Sequence, residues 1–137
     1  MPANPVVRFA NRLVLSRARR SGSLDTSGMG ALTTVGAKTG ATRSTPVAIF
    51  STASGGWFVV GAAGGGPKNP SWAHNLMAHP DQVSIERGGV KREVTAVRLR
   101  GEDRAAALRE VYATAPRFQG YQKRTTREIP VFRLTPR

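Results

Sequence analysis

Two β-prone runs, Ala31–Val35 and Ser44–Phe50, flank the stretch Val-Gly-Ala-Lys-Thr-Gly-Ala-Thr-Arg-Ser-Thr-Pro at 35–46, and this pairing constrains the chain more than any other feature. Runs of β-branched and apolar residues on either side of a short glycine-bearing turn predict an antiparallel hairpin. Gly36 and Gly40 tolerate positive φ, so the turn can close tightly with its N–H groups pointing one way. Lys38 in the turn and Arg43 at the start of the second run add an ammonium and a guanidinium. Together they make a candidate cradle for an anion, phosphate above all. No Asp or Glu occurs between Thr26 and Pro80, so no carboxylate on that stretch competes for these cations. An ordinary hairpin turn with solvated basic residues is the plainer alternative.

Later turn signals extend the hairpin into a meander. Ser54-Gly55-Gly56 marks a turn before a mostly apolar strand at Trp57–Ala62, expected to be central. Gly64-Gly65-Gly66-Pro67-Lys68-Asn69-Pro70 interrupts regular structure, and Ser71–Ala78 predicts a short helix, capped by Ser71 and stopped by Pro80. Val83–Arg87, a Gly88-Gly89 turn and Val90–Leu99 predict a second hairpin, whose faces are too mixed to assign an inner one. Gly101–Thr114 predicts an amphipathic helix with Glu102 and Asp103 in its first turn, where the helix dipole favours acids. Ala115–Arg127 is mixed, and Ile129–Leu134 predicts a final strand. These elements predict an α+β, mainly β domain: a small barrel of about six antiparallel strands with peripheral helices.

Upstream, Pro5–Arg20 predicts a basic helix carrying Arg8, Arg12, Arg17, Arg19 and Arg20, and Ser21–Gly30 reads as a linker. The chain then divides into a helix and linker over 1–29 and a barrel domain over 30–137. That helix either packs across the outside of the domain or lies on an anionic membrane surface with Phe9 and Leu13 dipped into it.

With 21 Lys and Arg against 8 Asp and Glu, the formal charge is +13 over 137 residues. Such an excess favours a polyanionic partner: nucleic acid, an anionic membrane, or a phosphorylated or carboxylated small molecule. The absence of cysteine excludes disulfides, thiolate metal sites and cysteine nucleophiles. His74 and His79 do not share a helical face, so no metal site is expected. No apolar run approaches the roughly 18 residues of a membrane span and no signal peptide is evident, which reads as a cytoplasmic protein, membrane-associated if the basic helix touches lipid. Nucleoside-triphosphate loops, the dinucleotide fingerprint and the Gly-x-Ser-x-Gly elbow are all missing.

The stretch from Gly61 to Leu76, Gly-Ala-Ala-Gly-Gly-Gly-Pro-Lys-Asn-Pro-Ser-Trp-Ala-His-Asn-Leu, carries a second signal. Its small residues leave the backbone bare at a strand end, where a flat ligand or a phosphate can approach closely. Trp72 and Asn75 share one helical face and Lys68 adds a cation, so a polar cofactor pocket can be built here. A glycine-rich loop around a structural tryptophan is the plainer alternative.

Three ordered blocks, 32–46, 67–76 (Pro-Lys-Asn-Pro-Ser-Trp-Ala-His-Asn-Leu) and 121–131 (Tyr-Gln-Lys-Arg-Thr-Thr-Arg-Glu-Ile-Pro-Val), give the chain a family resemblance. It resembles the deazaflavin-dependent nitroreductases, reductases that use reduced coenzyme F420, from about Leu32 to Leu134. The resemblance implies a split β-barrel akin to the flavin-mononucleotide oxidoreductases. It also implies hydride transfer from the reduced deazaflavin to a small aromatic, quinone, nitro or enone acceptor. By the same resemblance Lys38 and Arg43, with Thr45 beside them, hold the cofactor's phosphate. Pro46 and Ala48 lie beside the deazaflavin, and the backbone of Ala62, Ala63, Gly64 and Gly65 beneath the ring or its linker. Lys68, Asn69, Trp72 and Asn75 support that pocket. Family members often carry a lysine where this chain has Gly64, and the family's substrate-side tyrosines match Ala115, Phe118 and Tyr121. Phe118 and Tyr121 can stack against an aromatic acceptor, and Tyr121 is the candidate proton donor or substrate orienter.

A flavin-mononucleotide oxidoreductase or flavin carrier on the same barrel is the first alternative, since one phosphate cradle serves either cofactor. A basic nucleic-acid-binding module is the second. Against it, the basic residues are scattered over both strand faces rather than clustered with an aromatic platform. The sequence leaves monomer and homodimer both open.

Overall fold

The computed structural model describes residues 28–137. The helix expected at Pro5–Arg20 and most of the linker after it lie outside those residues. Within them the β-prone runs form β1 (Met29–Val35), β2 (Thr42–Ala48), β3 (Phe50–Ser51), β4 (Trp57–Val60), β5 (Val83–Arg87), β6 (Val90–Leu99) and β7 (Val131–Pro136). The helices are α1 (Ser71–Ala78), α2 (Gly101–Thr114) and α3 (Arg117–Lys123). Every ladder is antiparallel, and the strands form one sheet in the order β2-β1-β5-β6-β7-β4-β3. No helix among the described residues is long and apolar enough to cross a membrane.

Seven strands rather than about six result because Thr42–Ser51 is not one strand. Ile49 interrupts it: its N–H bonds to Gly28 O at 2.7 Å, and its side chain is 1% exposed in the core. Beyond it Phe50 and Ser51 pair with β4 instead of β1. The two edges of the sheet are therefore the two halves of one bent run, and the sheet curls on itself as a half-barrel. No ladder joins β2 to β4, and this leaves the barrel split. The last strand starts later than expected, at Val131, because Pro130 has no N–H to give and Ile129 N–H is taken by Gln122 Oε1 at 3.1 Å. The strand expected at Trp57–Ala62 leaves its ladder at Val60.

Alternation along β4 and β7 sorts their side chains between two cores. Val59, Phe132 and Leu134 face an inner core with Leu32, Val47, Ile85 and Val94, which α1 covers with Trp72, Ala73 and Leu76. Phe58, Val60 and Val131 face an outer core roofed by Leu108 and Val111 of α2 and Phe118 of α3. A strand buried on both faces has no polar side, which explains the uninterrupted Trp-Phe-Val-Val of β4. The same alternation resolves β6, which turns Val94 and Ala96 inward and Leu99 to the outer core.

Candidate functional site

At one end of the half-barrel the β1–β2 turn faces the start of α1 across a hollow of about 490 Å³. Lys38, Arg43 and Thr45 line it from the turn and β2; Ser71, Trp72, His74 and Asn75 line it from α1. α1 begins at Ser71 with Pro70 as its cap residue, so Ser71 is the first helical residue rather than the cap. Among the described residues no side chain caps this helix, and no acid lies in its first turn. Ala73 N–H bonds back to Pro70 O at 3.0 Å, so the N–H groups of Ser71 and Trp72 and the positive end of the dipole are what the helix offers the hollow. With Lys38, Arg43 and no carboxylate among the lining residues, the hollow suits an anion. Trp72, 9% exposed, serves mainly as core and meets Phe132 at 6.1 Å.

The turn's own amides contribute less than its glycines suggest. Gly36 N–H bonds to Ala41 O at 2.8 Å, Gly40 N–H to Gly36 O at 2.9 Å and Ala41 N–H to Thr39 Oγ1 at 3.1 Å. Ala37 N–H is taken by Asn75 Oδ1 at 2.9 Å. These four donors close the turn or tie it to α1, so the hollow's positive character comes chiefly from side chains and the helix. Gly40 adopts φ +72°, whereas Gly36 is needed for space: a Cβ there would stand 2.6 Å from Thr39 Oγ1. Asn75 also donates to Thr34 Oγ1 at 3.0 Å and is 7% exposed, a strut between helix and hairpin.

The second glycine-rich segment behaves in the opposite way. Ala63, Gly64 and Gly65 take φ of +47°, +63° and +83° in succession. For Ala63 this left-handed conformation is strained. Gly65 and Gly66 N–H groups bond back to Ala62 O and Ala63 O, while those of Ala62, Ala63 and Gly64 make no hydrogen bond among the described residues. Arg127, which no local sequence signal marks, holds this loop through its carbonyls. Its Nε donates to Gly66 O at 2.9 Å, Nη2 to Ala62 O at 2.7 Å, and Nη1 to Gly61 O at 3.2 Å and Asn69 Oδ1 at 2.6 Å. Burial lowers the Arg127 pKa from the ordinary arginine value, and these oxygens offset the desolvation of its charge. Asn69 is thus engaged by Arg127, and neither it nor Lys68 lines the hollow.

Across the split from β2 stands an aromatic wall. Phe118 meets Phe50 at 5.4 Å and Tyr121 at 5.2 Å, both edge to face. Ala115 and Phe118 are 3% and 9% exposed, whereas Tyr121 is half-buried and keeps contact with solvent. Strand alternation places Pro46 and Ala48 on the face of β2 opposite Arg43 and Thr45. Ala48 packs toward the cluster containing Ala62, Phe118 and Tyr121. The structure therefore divides the expected residues into an anion-suited group and a loop-and-aromatic group, with β2 between them. A second hollow, about 460 Å³ and lined by Trp57, Arg87 and Arg92, opens at the other end of the barrel and contains none of them.

A curled antiparallel half-barrel with a cationic hollow beside its split defines the class, a split-barrel reductase, and solved structures agree. The F420-H2 dependent reductase FDR-A matches with a TM-score of 0.70 and 35% identity, over 78% of this chain and 93% of that one. Another structure, described as a domain-swapped dimer, matches with a TM-score of 0.73 and 32% identity over 94% and 96%. The F420H(2)-dependent quinone reductase Rv1261c of Mycobacterium tuberculosis is 38% identical over 109 residues, 77% of this chain and 72% of the relative. Residues 7–136 match the F420H(2)-dependent quinone reductase family, and the chain belongs to that family of oxidoreductases.

Proposed function

We propose that this chain binds reduced coenzyme F420 along the split and passes its reducing equivalents to a quinone. Lys38, Arg43, Thr45 and the first turn of α1 would hold the anionic part of the cofactor. Pro46, Ala48 and the bare backbone of Ala62, Ala63, Gly64 and Gly65 would hold the ring. The residues fit the group: a hollow free of carboxylates for the charge, and unpaired amides on a flat, side-chain-poor loop for the ring. When bound, the reduced cofactor supplies the hydride, so the protein's task is binding, orientation and electrostatics.

Each residue then has a definite part in that task. Arg127 holds the Gly61, Ala62 and Gly66 carbonyls, and the N–H groups of Ala62, Ala63 and Gly64, without a bond among the described residues, are left for the ligand. Asn75 fixes the turn carrying Lys38 against the start of α1. Exposed Lys68 adds positive charge near the loop. Phe118 braces Tyr121, whose half-buried ring and hydroxyl orient the acceptor and offer it a proton.

The observation that carries this reading is the hollow in which two cations meet an uncapped helix start. Titrating the protein with oxidised coenzyme F420, read by the coenzyme's fluorescence, tests it. Binding is expected, and Arg43→Ala should weaken it about tenfold to a hundredfold, the range of one charge-assisted hydrogen bond. Equal affinity for flavin mononucleotide would instead favour the flavin alternative.

A further inference from the structure

We propose that Arg124 is the group that stabilises the negative charge an acceptor acquires on reduction, and so selects acceptors whose reduced form is an oxyanion. The proposal rests on the acceptor lying against Tyr121, as in the function proposed above. Arg124 follows α3 directly, and its backbone N–H is fixed on Tyr121 O at 3.1 Å. Its guanidinium lies 5.8 Å from the Tyr121 ring centroid, and Nη1 reaches Gly64 O at 3.5 Å. The charge therefore sits between the loop that would carry the cofactor ring and the tyrosine that would face the acceptor.

That placement is built into the loop. A Cβ on Gly65 would stand 2.9 Å from Arg124 Cβ and 2.8 Å from Tyr121 O, so the bare glycine lets the end of α3 approach. Arg124 forms no ion pair among the described residues, and Gly64 O is its single side-chain acceptor there. Neighbouring guanidiniums are otherwise occupied. Arg127 spends its donors on the loop, and Arg104 bonds Ile129 O and Gln122 Oε1 and pairs with Glu128. Arg117 lies over Phe118 at 5.0 Å, at the far end of α3 from the loop.

A quinone that takes up a hydride becomes a hydroquinone anion, with the charge on oxygen, until one proton completes the hydroquinone. A guanidinium close to that oxygen favours the anion over the neutral quinone, and a preference for the charged product is what accelerates the step. Tyr121, beside it, or water then delivers the proton.

The test compares two naphthoquinones of similar size: menadione, which is neutral, and lawsone, whose hydroxyl is ionised at neutral pH and mimics the anion. Dissociation constants are measured for the protein alone and with oxidised coenzyme F420, in wild type, Arg124→Gln, Arg124→Lys and Arg117→Gln. Wild type should prefer lawsone by about tenfold or more, the size of one charge-assisted contact. Arg124→Gln should abolish the preference while leaving menadione and coenzyme F420 binding within about threefold, and Arg124→Lys should restore part of it. In turnover, Arg124→Gln should lower kcat for menadione with little change in KM. An unchanged preference in Arg124→Gln, an equal loss in Arg117→Gln, or no binding of either quinone overturns the assignment. Coenzyme F420 affinity, measured in the same samples, tests the underlying function separately.

Discussion

The two glycine-bearing loops, 36–41 and 61–66, look alike in sequence and are used in opposite ways. In the first the amides of Gly36, Ala37, Gly40 and Ala41 are spent inside the turn or on Asn75, and what reaches the ligand space is chiefly side chain, Lys38 above all. In the second the Gly61, Ala62 and Gly66 carbonyls are spent on Arg127, and the N–H groups of Ala62, Ala63 and Gly64 are left without a bond among the described residues. The first suits a mobile point charge meeting a solvated anion. The second suits a flat, preorganised surface that a ring can lie on. Glycine content alone does not distinguish them; the partner that fixes each loop does.

Arg127→Ala should break this contrast most strongly. Removing a partly buried donor that serves several carbonyls should destabilise the fold by about 3 kcal/mol, measured by urea unfolding, and collapse coenzyme affinity. Arg127→Lys should recover less than half, because an ammonium cannot reproduce the planar fork. Asn75→Ala, the matching cut in the first loop, should cost about 2 kcal/mol by leaving Ala37 N–H and the buried Thr34 hydroxyl without their partner. Gly64→Ala should cost about 1 kcal/mol, because φ is +63° but the space beside it is open. Gly65→Ala should exceed it, since its Cβ would meet Tyr121 O. Lys38→Ala should change stability by less than about 0.5 kcal/mol, as surface sites do, yet weaken coenzyme binding, more at low salt than at high. Comparable folding defects in Lys38→Ala and Asn75→Ala would erase the distinction between presenting and bracing residues.

Much of this was legible in the chain. The hairpin around 35–46 and the helix at Ser71–Ala78 follow from local turn and periodicity signals, and they suffice to bring Lys38, Arg43, Thr45, Trp72 and Asn75 together. The seventh strand was hidden because Ile49 is as β-prone as its neighbours; only the curl of the whole sheet makes it a hinge. Arg127 was hidden for a different reason. Its acceptors are backbone oxygens, which carry no residue signature, and Gly66 lies 61 positions upstream. Likewise Asn69 reads as a pocket amide until Arg127 is placed beside it. Pro46 and Ala48, set beside the ring by resemblance and apart from Arg43, lie on the opposite face of β2 from Arg43 by strand alternation, and Ala48 packs toward the loop-and-aromatic cluster.

The account stands or falls on where the coenzyme lies, so the most direct measurement is a crystal structure of the protein with oxidised coenzyme F420. The prediction is that its anionic part sits between Lys38, Arg43 and the first turn of α1, with the ring on the backbone of 62–65. A coenzyme seated at the other end of the barrel, against Trp57, Arg87 and Arg92, would contradict it.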